Sequence, residues 1–159
     1  MIFWLILPVM LFTKCNNIPA ENFVKTTFQV SDSLESRDAM MQKLSPEAYY
    51  ICHDKGTEPP FSGKYDDFWE KGTYKCVVCS TDLFSSLDKF HSGSGWPSFS
   101  NELQDNVASK TDYSHGMVRE EILCKKCGSH LGHVFSDGPK PSGLRYCVNS
   151  LALKFVPSK

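Results

Sequence analysis

Four of the seven cysteines in this chain stand in two C-x-x-C pairs. The first pair is Cys76 and Cys79, and the second is Cys124 and Cys127. Four thiolates in two such pairs can close a tetrahedral site around zinc, and a closed site leaves no position open for a substrate. The spacing therefore predicts one structural Zn²⁺ per chain, acting as a clasp because a long segment is looped out between the pairs. A redox-active C-x-x-C and a pair of structural disulfides are the alternatives.

A fifth cysteine, Cys147, lies outside these pairs in a strand-like segment near the C-terminus. The two-residue period of a strand puts Arg145, Cys147 and Asn149 on one face. A guanidinium beside a thiol favours the thiolate, and an amide on the same face can orient a ligand. The segment is therefore a candidate for nucleophilic chemistry, and a buried inert cysteine is the alternative.

Two histidines and a tryptophan complete the candidate site. His130 and His133 would face opposite sides of a regular strand, so their joint action requires a bulge, which Gly132 could supply. Imidazoles can protonate a leaving oxygen near neutral pH, although two structural histidines would give the same pattern. The indole of Trp96, in the glycine-rich stretch 92–99, offers an apolar wall for a methyl group or a polarisable sulfur. A turn with a core tryptophan is the alternative.

Short strands must position most of these residues. From Gly56 onward the turn-forming residues recur too often for a long helix. The strand-like stretches are 73–78, 117–123, 131–135, 144–148 and 151–156. Helix is favoured over residues 32–44 and again after Ser45, where serine, proline and glutamate form a helix-start signal. The sequence predicts one mainly β domain with a short helical N-terminal arm.

Length and charge restrict the partners. The chain has 159 residues, which fits one domain, and 17 Lys+Arg balance 18 Asp+Glu. Because no positive charge is left over to neutralise a phosphate backbone, nucleic acid is disfavoured as a partner.

The N-terminus resembles a targeting segment. Residues 1–12 are apolar and uncharged but fall short of the about 20 residues that span a bilayer. They predict a signal peptide over residues 1–20 that includes Cys15, followed by a linker and the helical arm over 21–43. We expect the secretory pathway, in the endoplasmic reticulum or outside the cell, without stable membrane insertion after signal removal. An uncleaved anchor, a mitochondrial leader and a cytoplasmic location are the alternatives.

The motifs, in their order along the chain, resemble the methionine sulfoxide reductase B family. They are the stretch 56–61, the two C-x-x-C pairs, the stretches 92–99 and 130–135, and the segment 145–150. The resemblance covers residues 44–157 and places a catalytic domain at 44–159. The Ser-Gly-Ser-Gly-Trp form of the turn is most similar to the animal B3-type branch. The resemblance implies a β-tent-like fold of two antiparallel sheets with a structural zinc, and an enzyme of protein repair under oxidative stress that reduces the R epimer of methionine sulfoxide in proteins.

The resemblance also implies a role for each site residue. Cys147 matches the nucleophile, and Trp96 matches the wall for the substrate's S-methyl group. The residues that match the polar side of the pocket are His130, His133, Arg145 and Asn149. Thiolate attack on the sulfoxide would yield methionine and a cysteine sulfenic acid, which thioredoxin or another thiol reductant would then reduce.

The recycling step departs from one common form of the family. Many members carry a resolving cysteine where this chain has Ser94, and a hydroxyl cannot form a disulfide. Cys52 is then the remaining internal thiol that could resolve a sulfenic acid at Cys147, with direct attack by an external thiol as the alternative. A different class of function also stays open, a non-enzymatic zinc-clasped β module that binds a protein partner and keeps Cys147 as a structural thiol.

Overall fold

The computed structural model describes residues 37–159 of the chain. Residues 37–41 are helical, and after a turn the helix α1 spans Pro46–Cys52. Ser45 caps α1 as predicted, because its hydroxyl accepts a hydrogen bond from the backbone N–H of Ala48 at 3.2 Å. The predicted arm is therefore helical only up to residue 41, and residues 32–36, the leader and the linker lie outside the described residues.

Nine strands follow in the described chain. They are β1 (Gly72–Cys76), β2 (Asp82–Ser85), β3 (Lys89–Phe90), β4 (Ser98–Phe99), β5 (Val107–Asp112), β6 (Arg119–Cys124), β7 (His130–Phe135), β8 (Arg145–Val148) and β9 (Leu153–Pro157). They form a small sheet in the order β2-β1-β9 and a larger one in the order β3-β4-β8-β7-β6-β5, with every pairing antiparallel. The prediction of a mainly β fold with two antiparallel sheets is confirmed.

The last predicted strand begins later than the alternation suggested. Leu151 belongs to a 3₁₀ turn over Ser150–Ala152 and is exposed, so it does not share a face with Leu153. The cause lies far away in sequence. The buried carboxylate of Glu58 accepts hydrogen bonds from the backbone N–H groups of Ser150 at 2.5 Å and Leu151 at 3.2 Å, which holds the turn.

Aromatic side chains fill the space between the two sheets. Phe84 of the small sheet stacks on Phe99 of the larger sheet with ring centroids 4.5 Å apart, and Tyr74 meets Phe99 at 5.0 Å. Tyr146 of β8 packs against Phe84 on this core side. Because successive residues of a strand point to opposite faces, its neighbour Cys147 faces away from this core. Within residues 37–159, no helix is long and apolar enough to cross a membrane.

Candidate active site and metal centre

Cys147 sits in the middle of the larger sheet. It pairs with His133 of β7 on one side and with Ser98 of β4 on the other. Residues directly opposite each other on neighbouring strands project from the same face, so both side chains flank the thiol. From the preceding loop, the hydroxyl oxygen of Ser94 lies 3.7 Å from the Cys147 sulfur. The thiol is thereby surrounded by small polar groups.

A cavity of about 110 Å³ opens over this thiol. Apolar surface on its wall comes from Trp96 and Phe135, whereas Thr57, Arg119 and His133 supply polar groups. The Trp96 indole N–H donates to the backbone oxygen of Glu58 at 3.0 Å, which fixes the ring as part of the wall. The cavity therefore has an apolar wall and a wall of polar, ionisable side chains, and the Cys147 sulfur lies between them.

Burial raises the pKa of Cys147 above that of free cysteine. The nearby hydroxyl of Ser94, the positive charge of Arg145 and the hydroxyl of Ser98 each lower it, but together they do not outweigh the desolvation. Arg145 therefore acts on the pKa of Cys147 in the expected direction, but burial outweighs it and favours the thiol. Arg145 is engaged elsewhere, because its guanidinium donates two hydrogen bonds to Asp137 at 2.8 and 2.9 Å.

Asn149 lines the cavity, but its side-chain amide is hydrogen-bonded to backbone groups. Its Oδ1 accepts from the N–H of Glu58 at 3.1 Å, and its Nδ2 donates to the carbonyl oxygen of Leu131 at 3.1 Å. The side chain is buried, so these bonds join the loop before Pro59 to the start of β7. In this arrangement Asn149 holds the cavity wall in place.

A bulge brings the two histidines together, as the position of Gly132 predicted. The register of β6 against β7 shifts between Ile122 and Leu123, which pair with Gly132 and His130. The imidazole rings of His130 and His133 lie edge to face with centroids 5.7 Å apart. Gly132 is required here, because a Cβ at this position would stand 2.1 Å from the carbonyl oxygen of Cys147.

The two histidines do not occupy equivalent places. His133 lines the cavity over Cys147, whereas His130 is buried and lines a second, polar cavity of about 220 Å³. Each imidazole meets a carboxylate, His133 with Asp112 at 3.0 Å and His130 with Glu121 at 2.8 Å. Neither carboxylate was predicted from the sequence. The one sequence signal for Glu121 is that an acidic residue stands inside a strand-like stretch. Its contact with His130 could not be predicted, because it depends on how two strands pair.

The four cysteines of the C-x-x-C pairs converge on one point. Their sulfur atoms all lie within 4.8 Å of one another, with Cys76 to Cys127 at 3.7 Å and Cys79 to Cys124 at 3.5 Å. A tetrahedral ion with metal–sulfur bonds of about 2.3 Å needs sulfur atoms about 3.8 Å apart. The donor set and its spacing fit a metal ion with four thiolate ligands.

Cys52 lies away from the candidate nucleophile. It is buried on α1 beside Ser129, on the side of the metal site, and it does not line the cavity over Cys147. Burial raises the pKa of its thiol. Burial beside Ser129 and absence from the lining of the cavity over Cys147 favour a packed thiol over a resolving one.

Comparison with known proteins adds an independent observation. A family model described as the SelR domain matches residues 44–157. Over 128 residues the chain is 55% identical to the peptide methionine sulfoxide reductase MsrB of Teredinibacter turnerae, covering 80% of this chain and 95% of the relative. The chain belongs to the methionine sulfoxide reductase B family. The MsrB of Leptospira interrogans is likewise 55% identical over 122 residues, covering 76% of this chain and 93% of the relative.

Membership in the methionine sulfoxide reductase B family confirms the resemblance that the motifs carried. The match over residues 44–157 includes the metal site, Trp96, both histidines and Cys147. Kinship with the animal B3-type branch stays a prediction.

Proposed function

We propose that this member of the methionine sulfoxide reductase B family reduces the R epimer of methionine sulfoxide in proteins to methionine. The observation that carries the proposal is the placement of Cys147 at the base of a cavity with an apolar wall at Trp96 and an imidazole at His133. A sulfoxide sulfur bears a methyl group, an oxygen and a side chain. If the methyl group meets the indole and the oxygen meets the imidazole, only one epimer presents its sulfur to the thiol. The choice of R follows the family resemblance.

The reaction balances without an outside proton. The Cys147 sulfur attacks the sulfoxide sulfur and forms an S–S bond. The protonated oxygen then passes to the Cys147 sulfur as the S–O bond of the substrate and the S–S bond break, which leaves methionine and Cys147 sulfenic acid. The proton that leaves the thiol equals the proton that the departing oxygen needs. Since burial favours the thiol form of Cys147, the reaction needs a group in the cavity that takes up the thiol proton and passes it on. His133 is the residue placed to carry this proton from sulfur to oxygen.

An external thiol reductant, such as thioredoxin, completes the cycle. Ser94 holds the position beside Cys147 but cannot form a disulfide, and Cys52 is packed on α1. One external thiol displaces water from the sulfenic acid to form a mixed disulfide, and a second thiol releases Cys147. This route is the one that the arrangement of thiols supports over a Cys52 resolver.

Zinc is the ion that we assign to the four cysteines. Four thiolates in tetrahedral spacing are the ligands that structural zinc prefers, and Zn²⁺ is stable in that geometry without redox change. A closed four-thiolate site stabilises the fold and takes no part in the sulfoxide chemistry. A signal peptide over residues 1–20 and a secretory location remain part of the proposal, and sequencing the N-terminus of the mature protein tests both.

The decisive experiment compares the two epimers. Peptides carrying separated R and S methionine sulfoxide are incubated with the protein and dithiothreitol, and methionine is quantified. We expect turnover of the R epimer only, loss of that turnover in Cys147→Ser, and retention in the matched variant Cys52→Ser. Equal rates on both epimers would refute the stereochemical assignment. Residual activity above about 10% in Cys147→Ser would place the nucleophile elsewhere, and an inactive wild type would favour the non-enzymatic binding module.

A further inference from the structure

Each histidine of the site is bonded to a carboxylate, and each carboxylate is bonded in turn to a basic side chain. His133 bonds Asp112 at 3.0 Å, and Asp112 accepts from Arg119 at 2.9 Å. His130 bonds one oxygen of Glu121 at 2.8 Å, and the other oxygen accepts from Lys55 at 2.7 Å. The second chain is the more buried, since the side chains of His130 and Glu121 are 3% and 4% exposed. Burying a carboxylate so deeply is costly unless it is hydrogen-bonded, and both oxygens of Glu121 have a partner here.

The charge state of Glu121 determines where His130 carries its proton. Burial by itself would raise the pKa of Glu121, but hydrogen bonds from Lys55 and His130 lower the pKa below its ordinary value. The carboxylate is therefore ionised near neutral pH and can only accept. A neutral His130 must then hold its proton on Nδ1, and its Nε2 must carry the free lone pair.

That lone pair is itself unusual. His130 Nε2 is buried and has no hydrogen-bond partner within residues 37–159. A buried acceptor without a partner loses its hydrogen bonds to water and gains none in return, which is unfavourable. It lies in the ring that meets His133 edge to face and that lines the polar cavity shared with His133 and Thr57. Thr57 and His133 line the cavity over Cys147 as well, so the two cavities adjoin.

We propose that Glu121 is a positioning residue of the reductase site, which holds His130 in the Nδ1–H tautomer and so keeps its Nε2 as a proton acceptor behind His133. Lys55 holds Glu121 in turn. The inference rests on the proposed function, in which a proton must move from the Cys147 thiol to the sulfoxide oxygen. The two histidines then have different tasks: His133 faces the reacting sulfur, and His130 supplies a proton acceptor next to it.

The electrostatics around His130 provide a test with opposite signs. Burial lowers its pKa, the charge of Glu121 raises it, and the charges of His133 and Lys55 lower it further. Removing the negative charge in Glu121→Gln should therefore move the titration midpoint of His130 to lower pH. Removing the positive charge in Lys55→Met should move it to higher pH, and Lys55 is half exposed, so that this variant keeps the core intact.

Nitrogen-15 NMR of histidine-labelled holoprotein measures both quantities. We expect His130 of the wild type to show the Nδ1–H tautomer, and the two variants to displace its midpoint in opposite directions. Glu120→Gln is the matched control, because it removes the same charge one residue away on the exposed face of β6. An Nε2–H tautomer in the wild type, or midpoints that do not move in either variant, would overturn the inference.

Turnover gives the second measurement. We expect Glu121→Gln to lower kcat about tenfold with KM within about twofold, less than the loss of at least about 100-fold that removal of a general acid–base group causes. Glu120→Gln should match the wild type. A fall in Glu121→Gln that appears only in KM would contradict a positioning role. The tautomer is read without substrate, so a wild type that reduces no sulfoxide would refute the proposed function and leave the NMR result to decide the geometry.

Discussion

At the scale of single residues, Cys147 combines two demands that oppose each other. Under the proposed function, Cys147 must be buried so that a sulfoxide can be held without water, and it must become a thiolate to react. Burial prevails in the resting site and favours the thiol. The hydroxyl of Ser94 and the charge of Arg145 offset part of that cost. A site of this kind needs a proton carrier close to the thiol, which the register of β7 supplies in His133.

The raised pKa predicts how Cys147 responds to pH. Because the thiol form dominates at neutral pH, alkylation by iodoacetamide should be slower than that of a free cysteine peptide at pH 7. It should rise about tenfold per pH unit and level off at a higher pH than the peptide. Ser94→Ala removes a group that lowers the pKa, so its plateau should lie at still higher pH. Mass spectrometry of the Cys147 peptide gives the rates. A Cys147 that is fully reactive below pH 7 would contradict this reading of the site.

The contact between Ser94 and Cys147 also predicts a gain of function. The two atoms are 3.7 Å apart, and a disulfide needs about 2.05 Å, so a small side-chain shift suffices. After one equivalent of methionine sulfoxide without reductant, the wild type should hold a sulfenic acid that dimedone traps. Ser94→Cys should instead lose two hydrogens by forming a disulfide with Cys147. The double variant Ser94→Cys/Cys147→Ser is the control and should form none. Dimedone labelling in Ser94→Cys equal to that of the wild type would show that the loop cannot close.

At the scale of elements, the sequence predicted strands where apolar residues mark them. The stretch 131–135 became β7 and 144–148 became β8 within one residue, and both carry the site. Strands that were not predicted are short or polar. For example, β4 has two residues, and β5 shows no alternation of apolar and polar residues. The clustering of the four metal cysteines was predictable from residue type and spacing. Residue type and spacing made Cys147 and Trp96 candidates only, and their roles came from the family resemblance. Asp112 and Glu121 could not be predicted, because their partners are set by the register of β5, β6 and β7.

The bulge of β7 gives a prediction for Gly132. An added methyl group would stand 2.1 Å from the carbonyl oxygen of Cys147, so Gly132→Ala must push β8 away from β7. A displacement of about 1 Å costs about 100-fold in rate, and we expect that loss in kcat/KM with the metal retained. Gly116→Ala is the control, since its φ is also positive, at +69°, but nothing lies within 4 Å of the added atom. Comparable losses in the two variants would mean that backbone strain, and not the clash with Cys147, causes the effect.

At the scale of the whole molecule, the metal site joins the two sheets. Cys76 ends β1 of the small sheet and Cys124 ends β6 of the larger sheet, and each is followed by the second cysteine of its pair. The aromatic core holds the same sheets together at Phe84 and Phe99. The sheets are thus held together by aromatic packing and by the four thiols of the metal site. None of these four cysteines lines the cavity over Cys147.

Loss of one metal ligand should therefore lower the stability of the two-sheet fold without changing the residues around Cys147. We expect one zinc per chain by metal analysis, and Cys124→Ser should release it, because the free energy of metal binding is also free energy of folding. The melting temperature should fall by about 10 °C or more, which corresponds to roughly 3 kcal/mol or more for a domain of this size. Cys147→Ser is the matched control: it makes the same exchange in the larger sheet and should keep both the zinc and the melting temperature. If Cys124→Ser retained its metal and its stability, the four thiols would not form the clasp that fastens the two sheets.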